Sequence, residues 1–364
     1  MLFSDIYKQK TVLVTGHTGF KGSWLCLWLK KLGAKVVGLG LDPISDSFYE
    51  VNNINEFVVD KRFDIRNLEK LKNLIDDCKP DFVFHLAAQS LVRKSYLNPI
   101  ETWSTNLVGT LNILESLRIL KKKCTCVLIT SDKCYLNNEW IWGYRETDKL
   151  GGSDPYSASK ASAELAIKCY LDSYFNCKDN LVKITSARAG NVIGGGDWSE
   201  DRIVPDCMRA WSSSNRVKLR SPNSTRPWQH VLEPLSGYLT LASKLHTNKT
   251  LNGQSFNFGP SVTENHSVMD LVQMMGEYWD KVIWEDCSSN KEEFHESSLL
   301  KLNCDKALGM LKWQSTLTFK DTIRFTVEWY KEFFESNADI SDKSSSQIDE
   351  YILFAQKISQ DWSK

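Results

Sequence analysis

No stretch of this 364-residue chain approaches the ~20 consecutive apolar residues that a bilayer-spanning helix requires, and the opening MLFSDIYKQK lacks the apolar core of a secretory leader. Both absences predict a cytoplasmic protein with no membrane partner. Neither sign of charge prevails, since Lys+Arg 45 balances Asp+Glu 45. That balance removes the general attraction to nucleic acid or anionic lipid and leaves a small molecule as the expected partner. The 10 cysteines contain no C-x-x-C pair, and the 6 histidines are isolated from one another. Structural zinc, any other metal site and a disulfide framework are therefore not expected. Internal repeats and low-complexity tracts are missing as well.

What the chain does contain is a regular strand-then-helix rhythm. The β-branched, apolar segment 11–16 precedes a helical pattern over 23–32 that stops at Gly33. Further strands are expected at 35–41, within 56–63, and at 81–88, 124–131 and 181–189, with a long amphipathic helix at 99–120. Such alternation predicts an α/β fold with a doubly wound, mostly parallel sheet of Rossmann type. The expected boundaries are 1–190 for the dinucleotide-binding domain, with a segment near 228–260 returning to it. Residues 191–345 would form mainly a smaller mixed C-terminal substrate lobe, and 346–364 a tail, either a docked helix or partly disordered.

Between the first strand and first helix lies Gly16-His-Thr18-Gly19-Phe20-Lys21-Gly22. Glycines in that context permit a tight turn and close backbone approach, and the helix start offers free N–H groups to a pyrophosphate. Asp42, 20 residues beyond Gly22, stands where a carboxylate would accept ribose hydroxyls and repel a 2′-phosphate, which favours NAD over NADP. Lys21 is the contrary sign, and a loop cap is the plainer role for Asp42. Downstream, Tyr156 and Lys160 in DPYSASK are four residues apart at the start of a helical run. They would share one face, where an ammonium lowers the phenol pKa and makes it a base. Thr130-Ser131-Asp132-Lys133 ends an apolar strand and would project a hydroxyl, a carboxyl and an amine beside that base.

TGHTGFKG, Asp64 in FDIRN, HLAAQ at 85–89, Asn106 in STNLVGT and Tyr156-x-x-x-Lys160 occur in the order seen in the extended short-chain dehydrogenase/reductase family. The chain resembles that family over nearly its whole length. The strings GHTGFKGSWL, TSDKCY, WGYRE, DPYSASK, RAGNVIGGGDW and RPWQHVLEPLSGY are similar, within it, to the nucleotide-sugar 4,6-dehydratases that act on CDP-linked glucose. The resemblance implies that NAD is held by the glycine loop, with Asp64 and Ile65 at the adenine and Ala87, Ala88, Gln89 and Asn106 along the cofactor. For Asn106 a packing role inside a helix is an equal alternative. It also implies a homodimer or homotetramer built through helices such as 99–120 and 156–174.

The same resemblance implies an internal redox cycle. Tyr156 takes the proton of the sugar 4-hydroxyl as hydride leaves C4, Thr130 shares that hydrogen bond and Lys160 stabilises the phenolate. The ketone acidifies C5–H, Lys133 removes that proton, Asp132 protonates the departing C6 hydroxyl, and hydride returns to C6. Lys133 could instead only bind substrate or pair with Asp132. Asn191, Arg220 and Arg226 are expected to line the diphosphate cleft, because guanidinium matches phosphate geometry. His230, which lacks metal-spaced partners, is assigned to orienting the substrate, with packing as its alternative. Arg188 could equally be a structural partner for an acid. Two other readings stay open: an NAD-dependent epimerase or reductase, which needs only Tyr156 and Lys160, and a non-catalytic NAD-binding regulator, which needs neither.

Overall fold

The computed structural model of the chain describes residues 1–177, 180–261, 264–287, 299–336 and 339–364. Its centre is a seven-stranded parallel sheet. In chain order the strands and the helices that matter below are β1 (Thr11–Thr15), α1 (Phe20–Lys31), β2 (Lys35–Gly40), β3 (Val58–Arg62), α2 (Leu68–Cys78), β4 (Phe82–His85), β5 (Cys124–Ile129), α3 (Pro155–Tyr170), β6 (Val182–Ala189), α4 (Leu232–Thr247) and β7 (Ser255–Phe258). Their order across the sheet is β7-β6-β5-β4-β1-β2-β3. The direction of winding reverses between β1 and β4, and the crevice at that switch point opens at the carboxyl ends of the strands.

Both faces of the sheet are covered, which explains why the strands read as unbroken apolar runs. Along β1, Val12 and Val14 join one core cluster with Trp24, Trp28 and Leu239, while Leu13 joins the other with Val37, Val83 and Leu114. The expected 99–120 helix runs as Pro99–Trp103 and Gly109–Arg118 joined by one wide turn over Ser104–Val108. Segment 228–260 returns to the sheet as α4 and β7, with Ser255–Phe258 aligned on Ser186–Ala189. The smaller lobe is built on short pairings, Val217–Leu219 with Trp284–Asp286 and Thr225–Arg226 with His266–Ser267. Among the described residues no helix is long and apolar enough to cross a membrane, and all ten cysteines are free thiols.

The chain's last residues form no separate tail. The helix Ile340–Lys357 takes in the start of 346–364 and carries Tyr351, whose ring meets Trp28 edge-on at 5.7 Å and lies 15° from the plane of Trp362. Its hydroxyl donates to Glu233 Oε2 at 2.9 Å, and the same carboxyl accepts the Thr316 and Leu317 N–H groups at 2.8 and 2.6 Å. Glu233 thus ties the start of α4 to two C-terminal segments. Burial raises this carboxyl to about 7, against the downward pull of those three donors.

A folded-state pKa above the unfolded value gives stability that is complete below the ordinary carboxyl value of 4.5 and is lost as pH rises through about 7. We predict that this group contributes ~3 kcal/mol that fades between about pH 5 and pH 7, and that Glu233→Gln removes this part of the slope. Melting temperature against pH measures it; an equally steep fall in the variant would contradict the assignment.

Candidate active site

One cleft of about 1220 Å³ runs along the carboxyl edge of the sheet and continues under the smaller lobe. Its cofactor end is built from close backbone approaches. Gly16 has φ +73°, and a Cβ there would lie 2.8 Å from Ala87 N. A Cβ on Gly22 would lie 2.1 Å from Gly16 O. Only glycine fits at either position. Helix α1 begins at Phe20, its cap position Gly19 has no side chain to occupy the first N–H groups, and Gly19–Gly22 line the cleft, a start suited to a pyrophosphate. Thr18, Gly19, Phe20, Lys21, Asp64, Ile65, Ala87, Ala88 and Gln89 line this end, so the expected loop fits a dinucleotide. Asp64 is held by Arg66 through 2.9, 3.0 and 2.5 Å contacts, which keep its carboxyl below the ordinary range.

Three expected cofactor or substrate residues lie outside the cleft. Asp42 is exposed: β2 ends at Gly40, the Leu41 carbonyl is taken by Thr18 and Arg62 at 3.0 and 2.7 Å, and the next residue turns to solvent. Asn106 is buried behind the cleft lining. Its amide oxygen accepts Gln89 N at 2.9 Å and its nitrogen donates to Gln89 O at 3.0 Å and Ser159 Oγ at 2.9 Å, so it clamps the loop that lines the cleft. His230 is fully buried between the rings of Trp24 and Phe325, and burial lowers it to about 3. It is a neutral packing residue. Lys21 lines the cleft, where burial lowers its amine to about 8 and the charges of Arg202, Asp132, Lys160 and Asp197 act on it.

At that centre, α3 begins at Pro155 with Asp154 as its cap, accepting Ser157 N at 2.9 Å and Ser157 Oγ at 2.6 Å. Tyr156 and Lys160 are both buried on its inner face. Burial pushes the phenol up to about 12, and its hydrogen bond with Ser131 works the other way. Burial also lowers Lys160 to about 8, with its amine directed at the Ile129 carbonyl at 3.4 Å. Desolvation outweighs the lowering expected from the lysine, whose amine is turned to that carbonyl.

The acid–base turn follows β5 as a short turn over Asp132–Cys134, capped by Ser131 Oγ, which accepts Lys133 N at 3.2 Å. Ser131 also donates to Asp132 Oδ1 at 3.0 Å, and Asn191 lies 3.5 Å from Asp132 Oδ2. Thr130 differs from expectation: its hydroxyl donates to Glu164 at 2.5 Å, behind the turn, so Ser131 is the hydroxyl at the phenol. Sequence reasoning missed Ser131, although the alternation of side chains along an extended strand puts neighbouring hydroxyls on opposite faces. Arg188 pairs with buried Glu164 at 2.7 Å and is structural. In the smaller lobe Arg220 and Arg226 line the cleft, and Asp201 gathers Arg93 and Arg220 at 3.3 and 3.8 Å. Among the described residues no His, Cys, Asp and Glu cluster could hold a metal ion.

The doubly wound sheet, the glycine loop and the buried Tyr156–Lys160 face define a dinucleotide-dependent dehydrogenase/reductase of the extended short-chain type. Residues 13–326 match the family model described as GDP-mannose 4,6 dehydratase, and the chain belongs to that family. It is 44% identical over 357 residues to the CDP-glucose 4,6-dehydratase of Salmonella typhimurium, covering 97% of this chain and 99% of that one. Among solved structures it is similar to epimerase Mth375 of Methanothermobacter thermautotrophicus, with TM-score 0.78 and 24% identity over 92% of this chain and 95% of that one. A UDP-glucuronic acid 4-epimerase from Bacillus cereus, solved with UDP-glucuronic acid and NAD, has TM-score 0.75 and 22% identity over 89% and 99%. These structural likenesses concern the fold.

A Cβ on Gly190 would fall 1.9 Å from Asp132 Oδ2. We predict that Gly190→Ala displaces this carboxylate and lowers kcat by ~10²-fold or more while the protein still folds. Turnover together with a melting curve checks this, and parental kcat in the variant would contradict it.

Proposed function

We propose that the protein binds NAD and dehydrates CDP-glucose to CDP-4-keto-6-deoxyglucose, acting as a hydro-lyase. The observation that carries this reading is the turn Ser131–Asp132–Lys133 lying in the same cleft as Tyr156 and Lys160. A simple oxidation and reduction at C4 needs the tyrosine and lysine only; an elimination needs an acid and a base besides, and the turn supplies a carboxyl and an amine. The 44% relative, matched along almost its full length, supports CDP-glucose as the substrate.

NAD held along the glycine loop supplies a hydride acceptor at C4 and a hydride donor at C6. Tyr156 Oη receives the proton of the sugar 4-hydroxyl, with Ser131 Oγ sharing the hydrogen bond. Lys160 balances the phenolate charge. Once C4 is a ketone, Lys133 Nζ takes the proton from C5 and Asp132 gives one to the C6 hydroxyl, which leaves as water. Buried Asp132 sits between Ser131 and Asn191, which hold its carboxyl in place. The burial of Tyr156, Lys160 and Asp132 excludes bulk water from the oxidised sugar.

Arg220 and Arg226 contact the diphosphate, and a cytoplasmic setting accords with ten reduced thiols. The protein assembles as a homodimer or homotetramer through the outer faces of the 99–118 and 155–175 helices. There Ile100 is 79% and Leu165 60% exposed, with Val108 and Tyr174 beside them in the same helices. A panel of CDP-, dTDP-, UDP- and GDP-linked hexoses tests the assignment. CDP-glucose is expected to yield a product with the ultraviolet absorption in alkali of a 4-keto-6-deoxy sugar; preference for dTDP-glucose, or a product epimerised at C4, would refute it.

A further inference from the structure

Behind the acid–base turn, one helix, two strands and the residue that follows β5 converge on a single buried carboxylate. Glu164 lies one helical turn beyond Lys160 and two beyond Tyr156, so the three share one face of α3. Only 4% of Glu164 is exposed. Its oxygens accept Thr130 Oγ1 at 2.5 Å, Ser186 Oγ at 2.9 Å, and Arg188 Nε and Nη2 at 3.0 and 2.7 Å. Ser255 Oγ of β7 reaches the same carboxylate at 3.4 Å. Thr130 directly follows β5, while Ser186 and Arg188 belong to β6.

The remaining arginine nitrogen, Nη1, donates to Tyr135 Oη at 2.7 Å and to Glu146 O at 3.2 Å. The turn is therefore anchored on both sides, by Thr130 just before it and Tyr135 just after it. Arg188 and the hydroxyls keep the buried carboxyl below its ordinary range despite desolvation. Water cannot replace these bonds in so dry a place, and a loose partner would stay unsatisfied.

We infer that Glu164 and Thr130 are positioning residues: the buried Glu164–Arg188 pair holds the Thr130 hydroxyl, and through it fixes Ser131, Asp132 and Lys133 against Tyr156 and Lys160. The same helix thus carries the base, its cation and the anchor of the acid–base turn. On the near side of the turn, the Thr130–Glu164 hydrogen bond limits movement of one set of groups relative to the other. A displacement near 1 Å at such a site lowers rate by about 10²-fold without loosening substrate.

This inference rests on reading the cleft as a dehydratase site, and its test is arranged to separate the two. Thr130→Val removes the hydroxyl but keeps the branched shape and leaves Glu164 its other donors; Thr130→Ala gives the same readout if the added methyl disturbs folding. With CDP-glucose, the expected result is KM within about twofold of parental, kcat down by about tenfold or more, and pH limbs unmoved. Thr130→Ser should restore most of the rate. Glu164→Gln combined with Thr130→Val should cost no more than Glu164→Gln alone, because both cut one tether. A parental enzyme that turns over no nucleotide sugar counts against the proposed function. With an active parent, parental kcat in Thr130→Val, a raised KM, a shifted pH limb or multiplying losses would overturn the positioning role.

Discussion

A phenol taken out of water keeps its proton until positive charge is brought to it, and the active cleft is organised around that constraint. Desolvation moves Tyr156 up to about 12 and Lys160 down to about 8, so one physical cause pushes both groups toward their neutral forms. The Ser131 hydrogen bond offsets only part of this. The chain alone therefore leaves the phenol protonated at neutral pH, while Lys160, at about 8, still carries most of its charge. The same dry surroundings make each electrostatic contact in the cleft stronger.

Everything that must be fixed around this pair is fixed by backbone or by buried polar networks. Asp154 caps α3 and sets its first turn, placing Tyr156. Gly190 leaves space for Asp132, and Glu164 reaches across to β5 and β6. The smaller lobe has a different character. There Arg220 and, from the sheet domain, Arg93 gather on Asp201 at the cleft wall, where side chains remain partly exposed. The acid–base groups are thus held at the sheet edge, while the facing wall of the cleft is built on shorter, less deeply buried elements.

Much of this was legible in the sequence because it is local. The glycine loop, the parallel strands and the Tyr156–Lys160 spacing each depend on residues within one strand–helix unit, and the structure keeps them. The readings that changed depend on where a strand ends or on distant partners. Whether Thr130 or Ser131 faces the phenol is a matter of pleat, decided by Glu164 on another element. Asp42 missed the cleft because β2 stops at Gly40. His230 reads as either orienting the substrate or packing until Trp24 and Phe325, far along the chain in both directions, enclose it. Asn106 became a clamp on Gln89, and the partner of Arg188 became clear only when α3 lay against β6.

The central claim is that one sugar is oxidised at C4, dehydrated across C5 and C6, and reduced at C6 without leaving the cleft. CDP-glucose carrying deuterium at C4 tests this most directly, with the product's label read by NMR in the presence of unlabelled reduced cofactor. The account predicts that the deuterium reappears at C6 of the same molecule, with little dilution. Label retained at C4, or lost to the dissolved cofactor, would contradict it.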